Sequence, residues 1–97
     1  MATFIVLGSF TDQGVRTIKE SPKRAEAFKA MAAKAGVKVK DIYWTLGHYD
    51  IVSIIDAPDA ATATSLGLAI GSLGNIRTET LTAFSADEFG KILAKMP

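Results

Sequence analysis

Residues 37–57 have the sequence VKVKDIYWTLGHYDIVSIIDA, in which only Gly47 and His48 separate two β-rich runs. Runs of β-branched and aromatic residues on either side of a short glycine turn are typical of a β-hairpin. Glycine at the first turn position predicts a type II′ turn, which would pair Trp44 with Ile51. This hairpin lies in the middle of the chain, so the elements on either side of it determine the fold.

One strand and one helix are predicted on the N-terminal side of the hairpin. Residues 3–10, TFIVLGSF, form an apolar run rich in β-branched residues. Ser21 and Pro22 predict the start of a helix, with Ser21 as the N-cap and Pro22 at the first helical position. Gly36 is the expected left-handed terminator of that helix.

Two helices and one strand are predicted on the C-terminal side. A helix is expected from Pro58 to about Leu73, and residues 76–84 form the fourth strand. Ser85 and Glu88 match a capping box ahead of a final helix. In both helices the side chains expected to face the core are three or four residues apart: Leu66, Ala69, Ile70 and Leu73, and then Phe89, Ile92 and Leu93.

The resulting order β-α-β-β-α-β, followed by a C-terminal helix, predicts an α+β domain with the ferredoxin-like plan. Its sheet would be four-stranded and antiparallel. The fourth strand would pair with the first, the first with the third, and the third with the second. Residues 1–97 contain no repeat, linker or low-complexity stretch, so a single domain is expected.

Apolar side chains are predicted on both faces of this sheet. In the first strand Phe4 and Val6 point to one face, whereas Ile5 and Leu7 point to the other. The helices of this plan cover one face only, and an uncovered antiparallel face should carry polar residues. The sequence therefore predicts that a second copy of the chain covers the second face, in a homodimer or a higher oligomer.

Composition and charge exclude several classes of protein. The chain has no cysteine, which excludes disulfides, thiolate catalysis and cysteine-ligated metals. With His48 as the only histidine, neither a metal nor a cofactor is expected. The formal net charge is +1, and the basic stretch at residues 16–40 lacks exposed interleaved aromatics, so nucleic-acid binding is not expected. No signal peptide and no membrane span are expected, and the expected location is cytoplasmic.

The hairpin carries the first candidate ligand site, which contains Tyr43, Trp44, Tyr49 and Asp50. In the predicted register Tyr43 and Asp50 share the face that needs a cover, whereas Trp44 and Tyr49 lie on the other face. A carboxylate beside a phenol on a half-buried surface is a candidate acid or base. The alternative is that Asp50 hydrogen-bonds the backbone and Tyr43 packs in an interface.

The second candidate site is cationic and contains Lys19, Ser21, Arg24 and Arg77, with Lys23 beside them. The first strand leads to the N-terminus of the first long helix, and the fourth strand starts at the same sheet edge, so these residues are expected to come together. A helix N-terminus with nearby cations favours anions. The alternative is that the cations form ion pairs with acidic residues, namely Asp56, Asp59 or Glu79.

Three stretches resemble the GYD domain family: residues 18–24 (IKESPKR), 43–52 (YWTLGHYDIV) and 71–80 (GSLGNIRTET). The family is named for Gly-x-Tyr-Asp, which is Gly47, Tyr49 and Asp50 in this chain. His48 stands at the intervening position, where an acidic residue is more usual in the family, and this weakens the case for a carboxylate role there.

The resemblance extends from Thr3 to about Leu93. It implies a ferredoxin-like fold of the dimeric α/β-barrel type, and it implies no particular activity. The leading hypothesis is an oligomeric binding protein for a small anionic or aromatic ligand. One alternative is a small cofactor-independent enzyme, of the oxygenase or isomerase type, that uses Asp50 and a tyrosine. Another is a structural protein that self-assembles through the uncharged helix at residues 60–76.

Overall fold

The structure is a computed structural model that describes Met1–Pro97. Its strands are β1 (Ala2–Phe10), β2 (Lys38–Trp44), β3 (Ile51–Ala57) and β4 (Ile76–Ala83). Its helices are α1 (Asp12–Arg16), α2 (Ser21–Lys34), α3 (Ala60–Ser72) and α4 (Ala86–Ala94), with a 3-10 turn at Ile18–Glu20. The strands form one antiparallel sheet in the order β2-β3-β1-β4, which confirms the predicted ferredoxin-like plan.

The core lies between one face of the sheet and helices α2 and α3. Phe4 on β1 and Ile55 on β3 are buried there, together with Ala32 of α2 and Leu66 of α3. Phe4 and Ile55 are direct partners in the β1–β3 ladder, so their side chains leave the same face of the sheet. We call this the inner face. Both long helices cover it, as the two crossovers of the predicted plan require.

Helix α2 begins differently from the prediction. The 3-10 turn runs directly into α2, so Ser21 has helical backbone angles, φ −54° and ψ −42°, and is not the N-cap. Its hydroxyl is instead buried and accepts a hydrogen bond from Trp44 Nε1 at 2.9 Å. Gly36 has φ +75°, as predicted for the residue that follows the end of α2.

The connection between β2 and β3 is longer than the predicted two-residue turn. The pairing of Trp44 with Ile51 is confirmed, but the strands stop there, and residues 45–50 form the connection. The Asp50 N–H donates to the Gly8 carbonyl of β1 at 2.8 Å rather than across the hairpin. The prediction of a tight type II′ turn is wrong, although the Thr45 N–H still donates to the Asp50 carbonyl across the hairpin at 2.8 Å.

Helix α4 follows the last strand and leaves its side chains exposed. The predicted capping box is present, since Ser85 Oγ accepts from the Glu88 N–H and the Ser85 N–H donates to Glu88 Oε1. The expectation that α4 faces the core is wrong, because Phe89, Ile92 and Leu93 are 52%, 39% and 49% exposed. The apolar side of this amphipathic helix therefore has no cover within its own chain.

Helix α3 buries a narrower stripe than predicted. Leu66 is buried and Ile70 is half-buried, whereas Leu73 at the C-terminal end is exposed. Ala63, one turn before Leu66, completes the buried stripe. The solvent side of α3 carries no charged residue and leaves Leu68 71% exposed.

The second face of the sheet, which we call the outer face, is apolar and carries neither α2 nor α3. Ile5 and Leu7 of β1 point to it, and their ladder partners Ile54 and Val52 on β3 point the same way. Leu81 of β4 lies beside Ile5 on this face. The two-faced sheet that the sequence predicted is therefore present, while the second copy of the chain on the outer face stays a prediction. None of the helices combines the length and the apolar character needed to span a membrane.

Candidate functional site

A cleft of about 290 Å³ lies between α2, α3 and the inner face of the sheet. Its floor includes Val6 and Ile55, and its walls include Phe28 of α2 and Ile70 of α3. Apolar side chains predominate throughout the lining, and Arg24 is the one charged residue in it. The cleft is therefore concave and mainly apolar.

Gly8 has no side chain, so side chains of the two neighbouring strands can meet above β1 in the floor of the cleft. It is buried, and a β-carbon at this position would overlap the side chains of Ile51 and Ile76, which lie on the neighbouring strands β3 and β4. Glycine inside a strand often marks such a close approach. Gly8 is not among the predicted site residues, although a glycine within the apolar run of residues 3–10 is the signal that could have found it.

Ser21 lines the cleft and is held in place by Trp44. The indole Nε1–H donates to Ser21 Oγ at 2.9 Å, which joins the end of β2 to the start of α2. The Ser21 residue is 6% exposed, whereas Trp44 is 48% exposed. The structure therefore joins one residue of the predicted hairpin site to one residue of the predicted cationic site.

Arg24 lies at the edge of the cleft and has uncharged partners only. Its Nη1 donates to the Thr17 carbonyl and to Thr17 Oγ1, both at 3.0 Å. Its Nη2 donates to the Gly14 carbonyl at 3.2 Å. The ion pairs of the chain involve other residues, namely Lys29 with Glu26 and Lys40 with Asp56. Backbone and hydroxyl acceptors thus hold the guanidinium group without a carboxylate.

Contacts between the α1 segment and the α3–β4 turn support this end of the cleft. The Thr11 N–H donates to the Asn75 carbonyl at 3.1 Å, and Thr11 Oγ1 donates to the Gly74 carbonyl at 2.6 Å. Gln13 Nε2 donates to the Leu73 carbonyl at 3.2 Å and to Asn75 Oδ1 at 3.0 Å. Leu73 and Asn75 also line the cleft, so the α1 segment fixes part of its wall.

The Tyr49 side chain lies on the outer face of the sheet, whereas the predicted register placed it on the inner face. Its phenol donates a hydrogen bond to Glu79 Oε2 on β4. This hydrogen bond, then partial desolvation and the negative charge of Glu79, raise the pKa of Tyr49 above its usual value. Tyr43 is exposed on the same face, and its hydroxyl lies 3.4 Å from Asp41 Oδ1. Neither tyrosine lines the cleft.

Asp50 fastens the hairpin connection to β1. Its Oδ2 accepts a hydrogen bond from the Phe10 N–H at 2.9 Å, while its own N–H donates to the Gly8 carbonyl. The alternative in which Asp50 bonds the backbone is therefore the one that the structure contains. The tyrosines at positions 43 and 49 have other partners, so the acid–base pair of a carboxylate and a phenol is not formed.

Lys19 and Arg77 do not join Arg24 at the cleft. Lys19 is exposed in the 3-10 turn. Thr78 lines the cleft, so alternation along β4 directs Arg77 to the outer face. The expected cationic group is therefore divided between the two sides of the sheet, and of its members only Ser21 and Arg24 line the cleft. No group of three or more histidine or acidic side chains is placed to hold a metal ion.

The fold and the cleft define a small ferredoxin-like α+β domain, and two solved structures share this fold. One is named FFRP-DM1; it is 20% identical, with a TM-score of 0.63, over 87% of this chain and 100% of that chain. The other is TTHA0845 from Thermus thermophilus; it is 28% identical, with a TM-score of 0.58, over 89% of this chain and 96% of that chain.

The family model described as GYD domain matches residues 4–93, and the chain belongs to this family. The resemblance seen in the sequence is thereby confirmed. A relative from Thermus thermophilus is 40% identical over 84 residues, which cover 86% of this chain and 88% of the relative. That relative is named glutamine synthetase and cystathionine beta-lyase binding protein.

Proposed function

We propose that this chain is a homo-oligomeric binding protein that holds a small ligand in the cleft between α2 and α3. The observation that carries the proposal is the cleft itself, about 290 Å³ of mainly apolar space with a few polar groups in its lining. Pockets for small molecules are concave, mostly apolar and about 300–1,000 Å³ in volume. This cleft lies at the lower limit of that range, which favours a ligand of small-metabolite size.

A second copy of the chain on the outer face is part of the proposal. Ile5, Leu7, Val52 and Ile54 form a continuous apolar surface there, and α4 offers an uncovered apolar side. A stable interface buries about 1,600 Å² in total, and apolar burial contributes about 25 cal/mol per Å². Because the cleft opens on the other side of the sheet, a dimer formed through the outer face leaves it free for a ligand.

Filling the cleft from α3 tests the proposal. Gly67 lines the cleft, and a β-carbon there would lie 3.5 Å from Thr78 Oγ1, an ordinary contact. We expect Gly67→Leu to abolish binding of small aromatic and aliphatic compounds, measured by thermal shift and calorimetry. Gly71→Leu is the matched control, because position 71 lies on the same helix with open space around it and outside the cleft.

Both leucines replace a glycine inside a helix, which favours the helical state by up to about 1 kcal/mol, so folding should survive in both variants. Undiminished binding by Gly67→Leu would reject the cleft as the site. Equal loss in both variants would point to a general effect on α3 instead.

Docking on a metabolic enzyme is a second candidate function. It is favoured by the name of the relative that is 40% identical to this chain, and by the uncharged, exposed side of α3 around Leu68. Surface plasmon resonance against glutamine synthetase and cystathionine beta-lyase from the source organism tests it. Leu68→Lys should weaken a contact through α3. A cytoplasmic location remains a prediction for either function.

A further inference from the structure

Arg24 has hydrogen-bond donors that no group of the chain uses. A guanidinium group has five N–H donors. The Thr17 carbonyl, Thr17 Oγ1 and the Gly14 carbonyl use three of them, so two remain without a partner in the chain. The three occupied donors fix the orientation of the group, and the remaining two are available to a ligand.

The positive charge of Arg24 is not compensated by the protein. No carboxylate lies within ion-pair distance of it, and its residue is half-buried beside apolar side chains. Its hydrogen bonds to Thr17 lie on the exposed side, where Arg24 also lines a polar hollow, so the group is open to an incoming ligand. An anion at the edge of the cleft would supply an opposite charge and acceptors, and charge-assisted hydrogen bonds to arginine are roughly twice as strong as neutral ones.

We infer that the cleft binds an organic acid with a small apolar body and a single carboxylate, which Arg24 holds at the edge of the cleft. This inference rests on the proposed ligand-binding function and specifies the ligand class. One acidic group is expected, because Arg24 is the only charged residue of the lining. The remaining lining, including Phe28, Leu66 and Ile70, suits an aromatic or branched aliphatic body.

A carboxylate fits this position better than a phosphate. The planar fork of arginine matches a planar carboxylate with two parallel hydrogen bonds. A phosphate monoester carries up to about two negative charges at neutral pH, and one cation beside an apolar wall leaves part of that charge uncompensated. A monocarboxylate matches the single guanidinium in charge.

The test compares 3-phenylpropionate with 3-phenylpropan-1-ol, which has the same body and no charge, by isothermal titration calorimetry. The wild-type chain should bind the acid about tenfold or more tightly than the alcohol, the size of effect expected from a charged hydrogen-bond partner. Arg24→Gln should remove this preference, so that the ratio of the two affinities falls to about one whatever the affinity for the alcohol becomes. Arg24→Lys keeps the positive charge but lacks the planar pair of N–H donors, so it should retain part of the preference for the acid.

Lys23→Gln is the matched control, because it removes the same charge from the adjacent residue, which shares an exposed polar hollow with Arg24 but does not line the cleft. It should leave the binding of both compounds unchanged. Equal binding of acid and alcohol by the wild-type chain would overturn the inference while leaving the proposed function intact. Loss of acid preference in Lys23→Gln to the same extent as in Arg24→Gln would also overturn it. If Arg24→Gln does not fold, the comparison of acid and alcohol in the wild type decides alone, and no preference there would overturn the inference. Failure of the wild type to bind either compound, or binding that Gly67→Leu leaves unchanged, would reject both the inference and the cleft.

Discussion

Gly14 lies so close to the backbone carbonyl of Asn75 that a β-carbon at position 14 would overlap that oxygen. Gly14 is buried in α1, and Asn75 belongs to the turn between α3 and β4. The Thr11 N–H donates to the same carbonyl at 3.1 Å, so the start of α1 packs directly against this turn. Since the Gly14 carbonyl in turn accepts from Arg24, the contact sets the geometry at the edge of the cleft.

Gly14→Ala should lower the free energy of unfolding by about 1–3 kcal/mol, because the added methyl group must push α1 away from a backbone atom. The matched control is Gly71→Ala on α3, where a β-carbon meets open space. There the same substitution should be neutral or stabilising by up to about 1 kcal/mol. Urea unfolding followed by circular dichroism measures both. If the two variants are equally stable, α1 can move away from the turn at no cost, and this would contradict the close contact.

Removing either partner of the hydrogen bond from Trp44 to Ser21 should destabilise the chain, but by different amounts. Trp44→Phe leaves the Ser21 hydroxyl, buried at the start of α2, without its donor, and an unsatisfied buried polar group costs about 1–3 kcal/mol. Ser21→Ala leaves the indole N–H on a half-exposed side chain that water can reach, so the cost of its lost partner should be smaller. A double-mutant cycle by urea unfolding isolates the bond. We expect a coupling energy of about 0.5–1.5 kcal/mol, and additive single-variant effects would contradict it.

Local patterns were sufficient for most of the fold. The alternation of Phe4 and Ile5 along β1, the pairing of Trp44 with Ile51 and the capping box at Ser85 all depend on neighbours in sequence or on strand period. They are therefore visible in the sequence. The order of elements then leaves few topologies to consider, because crossovers are right-handed and connections are short.

The parts that sequence patterns missed depend on contacts between distant residues. Ser21 has the right chemistry for an N-cap, but the preceding 3-10 turn and Trp44, 23 positions away, give its hydroxyl another role. Tyr49 lies outside the expected strand, and its phenol donates to Glu79, 30 positions away. The cleft itself depends on how far apart α2 and α3 stand on the sheet, which no local pattern encodes. Arg24 is predicted as an anion-binding residue from its charge and its place near the start of a helix, whereas its lack of a carboxylate partner is visible only in three dimensions.

Tyr49 should make the chain less stable in alkaline solution. Its pKa in the folded chain is raised above the usual value of 10.0, chiefly by the hydrogen bond to Glu79. Below pH 10 both folded and unfolded chains keep the phenol proton, and the stabilisation is complete. As the pH rises above 10 the unfolded chain ionises first, so the free energy of unfolding falls until the folded pKa is passed.

Tyr49→Phe tests this dependence, because phenylalanine keeps the ring and removes the titrating group. The lysines also titrate in this range, but they are common to both proteins, so the comparison is the difference between the two curves of stability against pH. We expect the wild type to be the more stable near pH 8 and to lose that advantage above pH 10. Parallel curves from pH 8 to 11.5 would show that the bond to Glu79 does not persist in solution.

Leu81 and Leu68 lie on two different surfaces through which copies of the chain could associate. Substituting each of them distinguishes the two modes. Leu81 is 43% exposed on the outer face of the sheet, whereas Leu68 lies on the uncharged side of α3. Leu81→Lys places a charge on the outer face within the proposed dimer interface, where an uncompensated buried charge is costly. It should shift the chain towards monomer by sedimentation velocity at micromolar concentration. Leu68→Lys introduces the same charge elsewhere and should leave the dimer unchanged. Dissociation by Leu68→Lys alone would favour self-assembly through α3, and a wild-type chain that sediments as a monomer would reject the outer-face dimer altogether.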